Sequence, residues 1–329
     1  MTDSISRRTF IGGTLAATAA AQTSLTTNPL PTRVLGRTGE RRSILAFGCG
    51  SRWLSYGEED RALQAMQTGL DLGFNYLDTA EGYGNGQSET WVGKMMPKYR
   101  KHVLLQTKTS ARTGEELFRR FEQSLKRLHT DHVDVLHIHS LGNDDSLERL
   151  EKGGLIEALY KVREQKMARF IGVTSHTNPL TMKTALQRHD FDCAQMALNA
   201  ALQGMRPAPS GGGKQMLNPE MGTSFEIEAL PVALAKNMGV IGMKTYGQEE
   251  LLGHGDGLAT VEKLLRYTLS LPVAVVSVGM PKLEHISHNV QMARDFTPMP
   301  KDEMEQFSRQ MASAYKLALD HKFSQHVDA

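Results

Sequence analysis

Cysteine, single-sign charge tracts and long apolar runs are all scarce in this chain, and each shortage removes a class of function. Its two cysteines, Cys49 and Cys193, fall in different segments of the 329 residues. They make neither a metal-ligand spacing nor a disulfide framework, and read as small buried apolar residues. Net charge is only +2, with no basic tract interleaved with aromatics. That leaves no footprint for nucleic acid or for an anionic membrane surface. After residue 21 no apolar run approaches membrane-spanning length, so stable membrane insertion is not expected.

The first residues are a separate matter. Ser6-Arg7-Arg8-Thr9-Phe10-Ile11 leads into a mild apolar run from Gly12 to Ala21, closed by Ala19-Ala20-Ala21. A basic start, a short apolar run and a small-x-small site describe a secretory signal, and the run is too short to cross a bilayer. Paired arginines before Phe-Ile resemble the bacterial twin-arginine address, which an export machinery reads as a partner. The expected organisation is therefore a signal peptide over 1–21, a linker over 22–31, a barrel over 32–320 and a tail over 321–329. The expected location is periplasmic or otherwise exported, or cytoplasmic if residues 1–21 are not a signal.

What is plentiful is alternation. Short apolar segments recur at Ile44–Phe47, Asn75–Leu77, Val103–Thr107, Val133–Ile138, Phe170–Val173, Cys193–Met196, Val240–Met243 and Val273–Val278. Between them lie helical patterns such as Leu117, Phe121, Leu125, Leu128 and Ala62, Leu63, Met66, Leu70, with apolar groups on one face. Parallel strands need such crossovers, and eight units predict a closed (β/α)8 barrel of the α/β class. An open doubly wound sheet would want Gly-x-Gly-x-x-Gly after its first strand, and Gly48-Cys49-Gly50-Ser51-Arg52 leaves that pattern unfinished. Gly36 and Thr38-Gly39-Glu40 can turn a hairpin over Arg33–Ser43 that plugs the lower end. From Arg206 to Thr223 the chain reads as structureless, a long loop placed to close over an active site.

Sites in such barrels lie at the C-terminal ends of the strands. Asp78, Lys108 and His139 fall at three successive ends, with Tyr83 in the loop after the second. Reducing a carbonyl leaves negative charge on oxygen, so a positioned proton donor is required. A phenol with a pKa of about 10 is a poor acid until a neighbouring ammonium stabilises its anion. Lys108, held by Asp78, is placed to do so, and His139 can donate a second hydrogen bond to the carbonyl oxygen. His137, two residues deeper, reads as a packed, hydrogen-bonded core histidine. A zinc site of His137, His139 and His176 lacks the cysteines or HExxH helix that would support it, so no metal is expected.

These residues resemble the aldo-keto reductase superfamily, in its branch of bacterial oxidoreductases, from about Thr32 to Asn289. The resemblance is carried by Thr32-Arg33-Val34-Leu35-Gly36-Arg37-Thr38-Gly39, by Asn75-Tyr76-Leu77-Asp78-Thr79-Ala80 with Tyr83-Gly84, by Thr107-Lys108, by Val133 to His139, and by Arg169 to Ser175. It implies an NADP-dependent oxidoreductase, NAD being possible, that acts without metal on an aldehyde, a ketone or the corresponding alcohol. The family tetrad falls on Asp78, Tyr83, Lys108 and His139. Carboxamide contacts fall on Thr174, Ser175 and Gln195. The ring would lie against Met243, followed by Lys244, where relatives often stack an aromatic. Gly279 and the following turn would meet phosphate, with Asn289 at the adenine. The positions that flank a 2′-phosphate elsewhere carry Gly279 and His285 here, and Lys282 can reach in as a substitute. The substrate pocket would include Arg52 and Trp53. Two rivals remain at this point: an exported barrel that only binds or assembles, and a metal-assisted hydrolase for which only Asp78 and His139 are well placed.

Overall fold

In the computed structural model the described residues are 29–142, 147–209, 215–255 and 257–324; the proposed signal and most of its linker lie outside them. Eight parallel strands close into a barrel: β3 (Leu45–Gly48), β4 (Tyr76–Asp78), β5 (Leu104–Thr109), β6 (Val133–Ile138), β7 (Ala168–Ser175), β8 (Cys193–Ala197), β11 (Gly239–Met243) and β12 (Val275–Gly279). Several ends fall one or two residues beyond the apolar runs. Backbone pairing continues there after the side chains turn polar, as in Gly48↔Asp78 and Thr109↔Ile138. Asp78 and Lys108 are thus held by the ladder itself.

Before the barrel, β1 (Thr32–Val34) and β2 (Arg41–Ser43) form the expected antiparallel hairpin. Its turn carries Leu35, fully buried among Ala46, Tyr76, Leu104, Val135, Cys193, Ile241 and Val275, which together fill the barrel floor. Gly36 has φ 49, and a Cβ there would collide with the Met238–Gly239 backbone at the foot of β11. Only glycine lets the plug seat this closely.

The crossover helices follow their patterns. Thr113 caps the helix Gly114–Arg127 by accepting from Glu116 N, while the Glu116 carboxylate accepts from Arg112 N. Leu117, Phe121 and Leu125 then face the barrel, each such burial worth about 2 kcal/mol. One expectation fails. The segment after β8 contains a second hairpin, β9 (Gly204–Pro207) paired with β10 (Gln215–Asn218). Leu217 is buried under the loop after β11, so one apolar anchor and a backbone ladder order a stretch whose polar sequence shows no alternation.

Candidate active site

Strand parity builds the site from below. Tyr76 and Asp78 share one face of β4, Gln106 and Lys108 one face of β5, and Gln195 and Ser277 point inward from β8 and β12. Tyr76 OH donates to Gln106 Oε1 at 2.5 Å. The Gln106 amide donates to Asp78 Oδ1 at 2.8 Å and to Gln195 Oε1 at 2.9 Å. Gln195 Nε2 and Ser277 Oγ donate to Asp78 Oδ2 at 2.7 and 2.6 Å, and Lys108 Nζ donates to Oδ1. Burial alone would raise the carboxyl's pKa; the Lys108 charge and these donors overcome that and hold it below its ordinary value.

Lys108 uses its remaining donors on Thr79 O at 2.8 Å and Tyr83 OH at 3.1 Å. Burial pulls its pKa down, but Asp78 and Tyr83 pull harder, and it is pushed up to about 12. Tyr83 departs from the sequence expectation. Lys108 does lower the phenol's pKa, yet burial, helped by the Asp78 charge, outweighs it and the net shift is upward. The lysine's charge is already largely balanced by the carboxylate beneath it. His139 stands edge-on to Tyr83, ring centroids 5.6 Å apart at 82°. Burial first, then Lys108, keeps it neutral, well below the ordinary imidazole pKa.

An open cleft runs from Asp78 and Tyr83 past Gln195, Met243 and Lys244 to Arg52 and Gly279. Seven of the sequence-selected residues therefore share one wall system. Thr174 and Ser175 are buried beside it, their hydroxyls already bonded to Ser140 N at 2.8 Å and Leu141 O at 2.5 Å. Lys282, His285 and Asn289 lie past the rim, on or just before the helix Leu283–Arg294; the Lys282 side chain is exposed and faces Glu284 at 3.7 Å.

Two selected residues behave otherwise. Trp53 does not line the cleft: it is fully buried, donates Nε1–H to Ala62 O at 2.8 Å and packs edge-on to Phe47 and Trp91. Its indole anchors the short helix Ser51–Leu54, which turns the adjacent Arg52 toward the cleft instead. His137 is buried as expected, but neither ring nitrogen makes a hydrogen bond of ordinary geometry. Gly172 leaves just enough room for it, since a Cβ there would lie 2.7 Å from the ring. Burial, then Lys108, lowers its pKa to about 3. Among the described residues no three His, Cys, Asp or Glu side chains converge as a metal site.

Sequence reasoning passed over Gln106 and Ser277, which saturate Asp78, and the loop Thr245–Glu249. The first two were findable as polar residues at inward parity inside apolar strands. The loop carries φ above zero at Lys244, Gly247, Gln248 and Glu249, and no spacing rule announces it.

The β9–β10 hairpin reaches the mouth through one side chain. Gln215 lies 2.8 Å from His176 Nε2 and accepts from Lys244 Nζ at 3.2 Å, joining the ends of β7 and β11.

Comparison with known proteins gives one consistent answer. The aldo/keto reductase family matches residues 46–249. An uncharacterized oxidoreductase of Bacillus subtilis, YqkF, is 26% identical over 292 residues, covering 79% of this chain and 90% of that protein. The holo form of aldo-keto reductase AKR11C1 from Bacillus halodurans superposes with a TM-score of 0.68 at 24% identity, over 87% of this chain and 97% of that one. An aldo-keto reductase from Klebsiella pneumoniae in complex with NADPH gives a TM-score of 0.67 at 21% identity, over 87% and 96%.

Proposed function

The chain belongs to the aldo/keto reductase family, and from that premise we propose that it reduces a small aldehyde or ketone, or oxidises the matching alcohol, with NADPH as its preferred partner and Tyr83 as the proton donor. The observation that carries the proposal is the contact of Lys108 Nζ with Tyr83 OH at 3.1 Å, above a carboxylate whose acceptors are all engaged.

The cleft suits a dinucleotide. It includes Tyr83 and is lined by Gly48, Gly50 and Gly279. At Gly279 the Arg52 side chain packs where a Cβ would stand, 2.8 Å away, so a larger residue there would displace Arg52. Thr245 Oγ1 and Tyr246 OH, on the same wall, are buried without hydrogen-bond partners. Unmet polar groups of this kind favour a polar ligand. When bound, the nicotinamide supplies or takes up the hydride. Gln195 and Met243 are the side chains that would hold its ring, and Gly279 with Arg52 would face its phosphates. The Klebsiella relative's NADPH complex supports the choice of nucleotide.

The residues present then divide the proton work. All three Lys108 N–H groups are engaged, so Tyr83 oxygen accepts from below and its own O–H is free to point into the cleft. A carbonyl oxygen placed there receives that hydrogen bond. Neutral His139, fixed edge-on to the phenol, can donate another. As the proton leaves Tyr83, negative charge grows 3.1 Å from an ammonium that cannot move away. Tyr83→Phe should lower turnover by roughly 100-fold or more while NADPH affinity stays within a few-fold. Turnover within tenfold of wild type would remove Tyr83 from the role.

Export belongs to the same proposal. Arg7-Arg8 and Ala19-Ala20-Ala21 support removal of the first 21 residues during twin-arginine transport. Replacing both arginines by lysine should leave the chain in the cytoplasm; undiminished recovery from the exported fraction would reject it.

A further inference from the structure

A second pocket, on the outer flank of the barrel, holds a carboxylate among apolar walls. It opens between the helices Phe225–Ala235, Val261–Ser270 and Lys301–Ser324 and shares no lining residue with the cleft. Its volume of about 600 Å³ falls in the range of small-molecule sites. Leu202, Leu271, Met299 and Met304 supply the apolar walls, and the two methionines can adjust to a ligand's shape. Lys301, Glu305 and Arg309 are exposed at the rim, with Arg309 facing Glu305 at 3.7 Å.

The carboxylate is Glu226, half-buried in the first turn of its helix, where the helix dipole favours the ionised form. Among the described residues its one hydrogen-bond donor is the Tyr267 hydroxyl, 3.2 Å from Oε1 and 3.0 Å from Oε2. A phenol has a single proton to give, so one carboxylate oxygen is always left without a donor. Tyr267 is itself buried and packs edge-on to Phe307, centroids 6.1 Å apart, which fixes that donor in place. Burial pushes the Glu226 pKa up, the Tyr267 bond offsets only part of that, and no cation helps. Elsewhere such carboxylates are matched: Glu89 by Arg127, Asp134 by Arg100 and Arg169, Glu228 by Lys183.

We propose that this pocket binds a small organic ammonium, its nitrogen on Glu226 and its apolar body against Leu271, Met299 and Met304. An ammonium brings three donors and a positive charge, so it serves the open carboxylate oxygen with a charge-assisted hydrogen bond. Its hydrocarbon covers walls that are otherwise wetted. A neutral alcohol of the same length would bring the donor without the charge, and an anion would meet Glu226 unfavourably.

The test is calorimetric titration of the full chain near neutral pH with hexylamine and with hexan-1-ol, as wild type, Glu226→Gln and Met304→Trp. Wild type should bind hexylamine roughly tenfold or more tightly than hexan-1-ol. Glu226→Gln should weaken hexylamine by roughly ten- to hundredfold and leave hexan-1-ol within a few-fold, so that the preference disappears. Met304→Trp fills the pocket and should weaken both probes. Saturating NADPH, which belongs in the cleft, should leave hexylamine binding unchanged. The site is overturned if wild type does not bind hexylamine, if it binds the two probes equally, or if the preference survives in Glu226→Gln. Competition by NADPH, or full hexylamine affinity in Met304→Trp, would place the amine elsewhere and overturn it as well. Where a variant fails to fold, the comparison of the two probes on wild type still decides.

Discussion

At the residue scale, Tyr83 and His139 show how burial decides a protonation state that neighbours alone would leave open. Tyr83 is raised above 10 and His139 lies well below 6.5, so both hold one form through the neutral range. In the proposed mechanism carbonyl reduction uses the protonated phenol, which is lost only as pH climbs through that raised pKa. On the same proposal alcohol oxidation uses the phenolate and should therefore speed up as pH rises. The maximal rate of reduction should be flat between about pH 6 and pH 9, measured at saturating NADPH and substrate. A break near 6.5 in that profile would mean that His139 titrates as an accessible imidazole and overturn its neutral role. Tyr83, Lys108, Asp78 and His139 were all legible in the sequence, because polar residues at successive strand ends are unusual. The direction of the Tyr83 shift was not, because it depends on how much of the Lys108 charge is left after Asp78, and that is a matter of distances.

At the scale of elements, the barrel strands were legible from apolar runs and the helices from their apolar stripes, down to Leu117, Phe121 and Leu125 under the helix Gly114–Arg127. The β9–β10 hairpin was not. Gly204-Met205-Arg206-Pro207 and Gln215-Met216-Leu217-Asn218 carry no alternation of apolar and polar residues, and their order comes from contacts made far along the chain. Leu217 packs on Gly247, Leu217 N donates to Glu250 Oε2 at 3.2 Å, and Gln215 bridges His176 and Lys244. Trp53 was misplaced for a related reason. Loop position suggested a cleft wall, whereas the indole is taken up by Phe47 and Trp91 and leaves Arg52 to line the cleft.

At the scale of the molecule, three imidazoles lie at or just below the mouth of the barrel in neutral form. His137 and His176 sit near 3 and His139 well below its usual value, in each case through burial first. An unfolded chain takes up these protons near 6.5, the folded chain only near 3 at His137 and His176 and well below 6.5 at His139. Between those limits the unfolded state binds more protons, so stability is lost as pH falls. Each imidazole contributes a slope of about 1.4 kcal/mol per pH unit. The melting temperature should therefore drop steeply from pH 6.5 toward acid. A midpoint that stays constant over the first two units of acidification would show that these rings are protonated in the native state.

The same closed architecture gives Asp78 a second meaning. Its carboxylate receives donors from β5, β8 and β12, so one reactive charge ties strands on opposite sides of the lumen. The barrel has, in effect, a hub with spokes, and the hub is the group that holds Lys108 under Tyr83. A small slip of any spoked strand would go unnoticed by the hydrophobic shell, yet it would unseat the proposed proton donor at once. Turnover is then a gauge of the barrel's roundness, falling silent while the fold is still intact.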